Sequence, residues 1–189
     1  FFDKAGQIYD YIIIDSGKSV NELLIHALDS SNLILLVTTP DVLSVYQVKW
    51  CMEWFQSLHF PPNMVKLILN RSESRGSVHW QEVQTALLAD IFSHIPSDGR
   101  TAGMALNRGV PCVIDSPKSP ISEAFKTLTT KLQQPNIFVS SMSAANVKRG
   151  EGKQNQISEF WEKFGVTPQS ARPDISPEQA EDDELIFLK

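Results

Sequence analysis

Leu33-Ile34-Leu35-Leu36-Val37-Thr38-Thr39-Pro40-Asp41-Val42 joins two kinds of structure within a single short stretch. Five apolar residues follow one another with no polar alternation, which is the pattern of a strand buried on both faces of a sheet. Thr39 and Pro40 end the run, and Asp41 then offers a side-chain acceptor to the free N–H groups of a new helix. Val45, Val48, Met52 and Phe55 follow at helical spacing. The helix is expected to reach about Leu58, with Pro61-Pro62 preventing continuation.

The same alternation extends in both directions. Ile8 to Asp15 is a continuous apolar, β-branched run and reads as an earlier buried strand. Asn21 to Leu28 reads as a helix with Leu23, Leu24, Ala27 and Leu28 on one stripe. Downstream, Val65 to Leu69 is a strand, Val78 to Leu88 a helix, and Ile91 to Ile95 a short strand. Ser97 or Asp98 caps a helix that ends near Arg108, where Gly109 and Pro111 stop it. Ser119-Pro120 opens a last helix running to about Leu132. Near-continuously apolar strands alternating with helices predict an α/β fold, a doubly wound, mostly parallel sheet with helices on both faces. A strand buried at Ile8 needs neighbours, and an open sheet of this kind usually has about five or six strands. The expectation is therefore that one or two βα units precede Phe1.

Composition changes near residue 134. Nearly every strong apolar run lies in residues 1–133, whereas residues 134–189 hold four of the eleven prolines. The first part reads as the folded domain and the second as a low-order tail. Two cysteines, Cys51 and Cys112, stand far apart and exclude a disulfide framework or zinc ribbon. The apolar runs fall far short of the ~20 residues of a membrane span, and no basic segment with a cleavage site opens the chain. A net charge of −5 argues against a broad nucleic-acid surface.

In open α/β sheets ligands bind outside the carboxyl ends of the strands. The residues expected there are Asp15 to Ser19, Thr38 to Asp41, Asn70-Arg71 and Pro96-Ser97-Asp98. Gly17-Lys18-Ser19 is similar to the end of a phosphate-binding loop, but such a loop needs a glycine where Ile12 stands in mid-strand. Two readings stand for Asp15. A carboxylate at a strand tip can reach Mg²⁺, directly or through water, and it can equally cap the next helix. Asn70 can offer its amide to an adenine edge or form a turn. His26, His59, His79 and His94 share no ligand spacing. No GxSxG, GxGxxG or HExxH sequence occurs.

Taken in order, these segments resemble the MinD/ParA class of deviant P-loop ATPases. Tyr9-Asp10-Tyr11-Ile12-Ile13-Ile14-Asp15-Ser16 is similar to its "FDYIIID" strand, and Leu35 to Val45 to its next strand, loop and helix start. Val65 to Arg71 is similar to its "VLNR" strand. Ile95-Pro96-Ser97-Asp98 with Ala105 to Pro111 resembles its "IP-D … A-N-G-P" ending. The resemblance covers roughly residues 8–132. The helix opening at Asn21-Glu22 and the stretch Asn70 to Gly76 look most like the CpaE/TadZ branch, which is linked to placement and assembly of Flp-type (tight adherence) pili.

The resemblance implies a role for each matching position. Asp15 matches the Walker B aspartate that holds Mg²⁺ through water, and Ser16 to Ser19 match switch II. Asn70 and Arg71 match the base contacts, and Pro96 and Asp98 match the loop near adenine or ribose. The cofactors implied are ATP and Mg²⁺. The Walker A glycines and lysines would lie upstream of Phe1, so this chain alone is not expected to hold or hydrolyse ATP as the family does. Gly17 replaces the family's proline, a departure in switch II.

In the tail, Ile157, Phe160, Trp161 and Phe164 fall at i, i+3, i+4 and i+7, a short amphipathic helix. Its polar face mixes Glu159, Glu162 and Lys163, so docking on a protein is favoured over weak membrane contact. Beyond Gly165 the chain is Pro-rich and acidic, a solvated linker. The expected function is a CpaE/TadZ-type protein that positions or assembles pilus or secretion machinery in the cytoplasm, at a membrane or cell pole. Its expected partners are assembly proteins and a second copy in a homodimer. The alternative is a MgATP-dependent dimeric switch of the MinD/ParA partitioning type.

Overall fold

The computed structural model describes residues 2–16, 22–74 and 76–139. The chain divides into two compact units, Phe1–Val147 and Lys148–Lys189, and the architecture is that of the first. Gly17 to Ser19, the amphipathic segment Ile157 to Phe164 and the acidic linker lie outside the described residues.

In chain order the elements are α1 (Phe2–Ala5), α2 (Glu22–Ser30), β1 (Ile34–Thr38), α3 (Val42–Ser57), β2 (Val65–Asn70), α4 (Trp80–Leu87), β3 (Ile91–Ile95), α5 (Gly99–Arg108), α6 (Cys112–Asp115) and α7 (Pro120–Leu132). The strands form a parallel sheet in the order β1-β2-β3. The expected caps are in place. Asp41 accepts the Ser44 N–H at 2.8 Å at the start of α3. Asp98 accepts the Thr101 N–H at 3.1 Å before α5, and Ser119 caps α7 with Pro120 at its first position.

Residues paired across a parallel ladder point to the same face, so the register assigns the two faces. Leu36 pairs with Leu67, and Thr38 with Leu69. On that face Leu67 and Leu69 pack with Val48 of α3 and with Val83 and Leu87 of α4. On the opposite face Ile68 and Ile95 pack with Ile121 of α7. Helices thus cover both faces of β2, as the apolar strand pattern requires. Over β1 the α7 face is open: Leu35 and Val37 point that way, and Val37 is 58% exposed.

The run Ile8 to Asp15 is not a strand. Residues 6–8 form a turn after α1, and residues 11–16 have no regular secondary structure. Ile13 is 94% exposed. The physical reason is pairing. β propensity expresses packing against a neighbouring strand, and no described strand runs beside this segment. Tyr11 instead meets Phe138, with ring centroids 5.9 Å apart. Two hydrogen bonds of 3.1 Å between Asn32 and Val139 tie the segment after α7 to the residues just before β1.

Three helices end on a residue with positive φ, and one of these is glycine. At α5, Gly109 (φ 64) donates to Leu106 O and Val110 to Ala105 O, both at 3.1 Å, closing the helix end. At α3, His59 (φ 61) donates to Gln56 O and Phe60 to Phe55 O, both at 2.9 Å. The Phe55 and Phe60 rings then meet edge to face at 5.7 Å. At α4, the residue is Leu88 (φ 50), which donates to Gln84 O and is 91% exposed.

Candidate functional site

At the carboxyl ends of the three strands, backbone bonds from Ser72 and Val78, both past the end of β2, reach β3 and the β1–α3 connection. Asn70 pairs with Ile95 in the β2–β3 ladder. One residue on, Arg71 takes φ 54, and the Asn70 Oδ1 accepts its N–H at 3.0 Å. This side-chain-to-backbone bond supports a left-handed conformation that a long L-residue otherwise avoids. It sends the chain sideways across the strand tips. The Ser72 N–H donates to Ile95 O at 3.0 Å, and the Val78 N–H to Pro40 O at 2.8 Å. The loop is therefore fastened to the ends of both β3 and β1. Since the turn uses Oδ1, the Asn70 Nδ2 remains as a donor beside Arg71 at this edge.

At the tip of β1 the Thr39 hydroxyl donates to Asp41 Oδ2 at 2.5 Å and lies 2.9 Å from Ser44 Oγ. The Thr39 hydroxyl and the Ser44 N–H and hydroxyl hold the Asp41 carboxyl below its ordinary range, because they stabilise its charged form. The site thus has a fixed carboxylate at one strand end, already bound to its own loop.

At the tip of β3, Pro96 follows the Asn70 partner Ile95 directly, so Asn70, Arg71 and Pro96 share one edge. Asp98 lies two residues further, with its carboxylate serving the α5 cap. The α5–α6 connection is closed by Arg108, whose Nη1 donates to Asp115 Oδ1 at 2.7 Å. That guanidinium holds the Asp115 carboxyl below its usual range.

Of the residues singled out in the sequence, the structure brings Asn70, Arg71 and Pro96 together. It gives Asp98 and Asp41 capping bonds. Asp15 stands exposed on segment 11–16, outside the sheet ladder. Sequence reasoning missed the Thr39–Asp41–Ser44 cluster and the fastening of loop 71–78. The threonine and serine flanking Asp41 were a signal for the first. The second depends on backbone bonds that no side chain announces.

No family model matches the sequence. The chain is 25% identical over 130 residues to the septum site-determining protein MinD of Thermotoga maritima, a match covering 66% of this chain and 47% of that protein. It is 28% identical over 156 residues to the chloroplastic MinD homologue of Arabidopsis thaliana, covering 80% and 46%. The chain thus spans about half the length of the curated relatives it matches. Among solved structures, a ParA family ATPase from Chlorobium tepidum superposes with a TM-score of 0.64 at 24% identity, over 70% of this chain and 55% of that one. The septum site-determining protein MinD of Pyrococcus horikoshii, complexed with Mg-ADP, gives 0.60 at 21% identity, over 70% and 54%. A parallel sheet flanked by helices, these superpositions and the MinD relatives converge: the chain has the ParA/MinD P-loop NTPase fold and is related to that family of ATPases.

Proposed function

We propose that the chain is the base-recognising half of a MinD/ParA-type ATPase, with the phosphate-binding loop supplied by polypeptide outside these 189 residues. The observation that carries this reading is the shared edge of Asn70, Arg71 and Pro96 at the strand tips. The open side of β1 supports it, because exposed Leu35 and Val37 leave room for further covering structure. In this reading Asp15 holds Mg²⁺ through water, and Asn70 and Arg71 meet the base. Pro96 and the loop to Asp98 back the adenine or ribose. The 189 residues alone then lack ATP hydrolysis.

Two duties fit such a domain. The MinD relatives favour a MgATP-dependent dimeric switch. The helix opening at Asn21-Glu22 and the Asn70 to Gly76 stretch favour a CpaE/TadZ-type scaffold that places pilus or secretion proteins, working at a membrane or cell pole. No helix among the described residues is long and apolar enough to cross a membrane.

The test is an Asn70→Ala variant of the complete gene product. ATP affinity is expected to fall about two- to tenfold, the worth of one hydrogen bond of ~0.5–1.5 kcal/mol. Affinity for inorganic tripolyphosphate, which has no base, should stay unchanged. Equal losses for both ligands, or none for ATP, would remove Asn70 from base recognition.

A further inference from the structure

The first half of α3 carries large apolar side chains on a side that the sheet does not cover. Val42 is 77% exposed, Leu43 66% and Tyr46 57%. Trp50, half-buried, follows one turn after Tyr46, and the two rings meet with centroids 5.6 Å apart. The inner side of the same helix is already packed, with Val45, Val48 and Met52 in the cluster around Leu67 and Leu69. Val42, Tyr46 and Trp50 recur at every fourth residue, and Leu43 stands three before Tyr46, so the four form one stripe. A contiguous apolar stripe on a surface marks a place where something docks.

Two charges border it. Asp41 stands immediately before the stripe, exposed and bonded within its own loop. Lys49 is exposed on the flank and takes part in neither ion pair of the described residues, Arg108–Asp115 and Lys126–Glu123.

These features complement themselves. A twofold axis passing Tyr46 sets the α3 helices of two copies antiparallel, with Tyr46 against Tyr46. Four residues from the axis, Val42 of each copy lies level with Trp50 of the other, so a small side chain meets a large one twice. Three residues from the axis, Lys49 lies level with Leu43 of the second copy. Its alkyl stem covers that leucine, and about 3 Å further along the helix its ammonium reaches the level of Asp41. The stripe thus finds on a second copy both the apolar cover and the opposite charge that it lacks in the monomer.

We propose that α3 is a self-association surface, on which two copies of the chain pair through Val42, Leu43, Tyr46 and Trp50 about a twofold axis at Tyr46, with Lys49 of each copy beside Asp41 of the other. The contact involves no nucleotide and stands apart from the ATP reading. Four side chains on each copy bury less than the ~1,200 Å² at which stable interfaces begin. A weak, reversible dimer is therefore expected, with a dissociation constant on the order of 10–100 μM.

Sedimentation velocity of the 189-residue chain without nucleotide, from about 1 μM to 1 mM, tests this. A reversible monomer–dimer transition is expected. Tyr46→Lys sets like charges together at the axis, and Lys49→Glu sets a carboxylate beside Asp41; each should weaken association at least tenfold. Unchanged urea midpoints establish that both variants keep the fold. Oxidative cross-linking tests the axis directly. In Tyr46→Cys the two thiols meet, and a disulfide dimer should form at least tenfold faster than in Gln47→Cys, which lies about 100° round the helix, or in the unaltered chain with Cys51 and Cys112. A chain monomeric throughout the range leaves the stripe to a different protein and overturns the proposal. Association indifferent to Tyr46→Lys also overturns it, and its loss in Val37→Lys would then place the contact on the open side of β1. Cross-linking of Tyr46→Cys no faster than of Gln47→Cys overturns it as well.

Discussion

Replacing Leu88 by glycine should make the protein more stable, although it deletes a large apolar side chain. Leu88 ends α4 in the left-handed region, φ 50 and ψ 38, with its N–H bonded to Gln84 O. A non-glycine residue there carries roughly 1–2 kcal/mol of steric cost. Glycine removes that cost but gives the unfolded chain more freedom, an offset of about 0.5–1 kcal/mol. At 91% exposure the leucine side chain buries little. Losing its remaining contact costs only ~0.2 kcal/mol of a full burial of about 2 kcal/mol. The balance is a gain of about 0.5–1 kcal/mol. Urea unfolding followed by circular dichroism should show a higher midpoint at unchanged slope. Gly109 provides the mirror experiment: at φ 64 it already has the preferred residue, and Gly109→Ala should lose about 1 kcal/mol. A lower midpoint for Leu88→Gly would refute the assignment of a strained helix end.

Other perturbations address the site and the core. Asp41→Ala removes the α3 cap and should cost about 1 kcal/mol by urea unfolding, whereas Asp41→Asn should retain most of the cap. Because the folded state holds the Asp41 carboxyl below its ordinary value of 3.8, its ionic contribution is present above that pH. It is lost as pH falls through the lower folded value, so Asp41→Asn should flatten the acid limb of a stability–pH profile. Leu69→Ala empties a fully buried position between α3 and α4 and should cost about 3 kcal/mol, read from the same urea midpoint. A loss below ~1 kcal/mol would contradict the packing of that face.

What could be read from the sequence was local. Asp41, Asp98 and Ser119 cap helices because an acceptor three residues ahead of a free N–H acts within one turn. The strands from Ile34, Val65 and Ile91 were legible because their apolar runs are bounded by Thr-Thr-Pro, Asn-Arg and Pro. Ile8 to Asp15 has an equally strong pattern, but a strand also needs a partner along its edge, and apolar content does not supply one. Helix ends at His59 and Leu88 carried no glycine to mark them. The candidate site divides the same way. That Asn70, Arg71 and Pro96 share one edge was legible because each stands at or just past the end of a strand. The Arg71 turn and the bonds from Ser72 to Ile95 and Val78 to Pro40 depend on tertiary closure.

The most direct test of the nucleotide reading is a titration of fluorescent ATP, with and without Mg²⁺, into the complete gene product, with Asp15→Ala and the 189-residue chain alongside. Saturable, Mg²⁺-dependent binding is expected from the complete product, lost in Asp15→Ala and absent from the 189 residues alone. Binding that survives Asp15→Ala at full strength, or no binding by the complete product at high nucleotide, would contradict that reading.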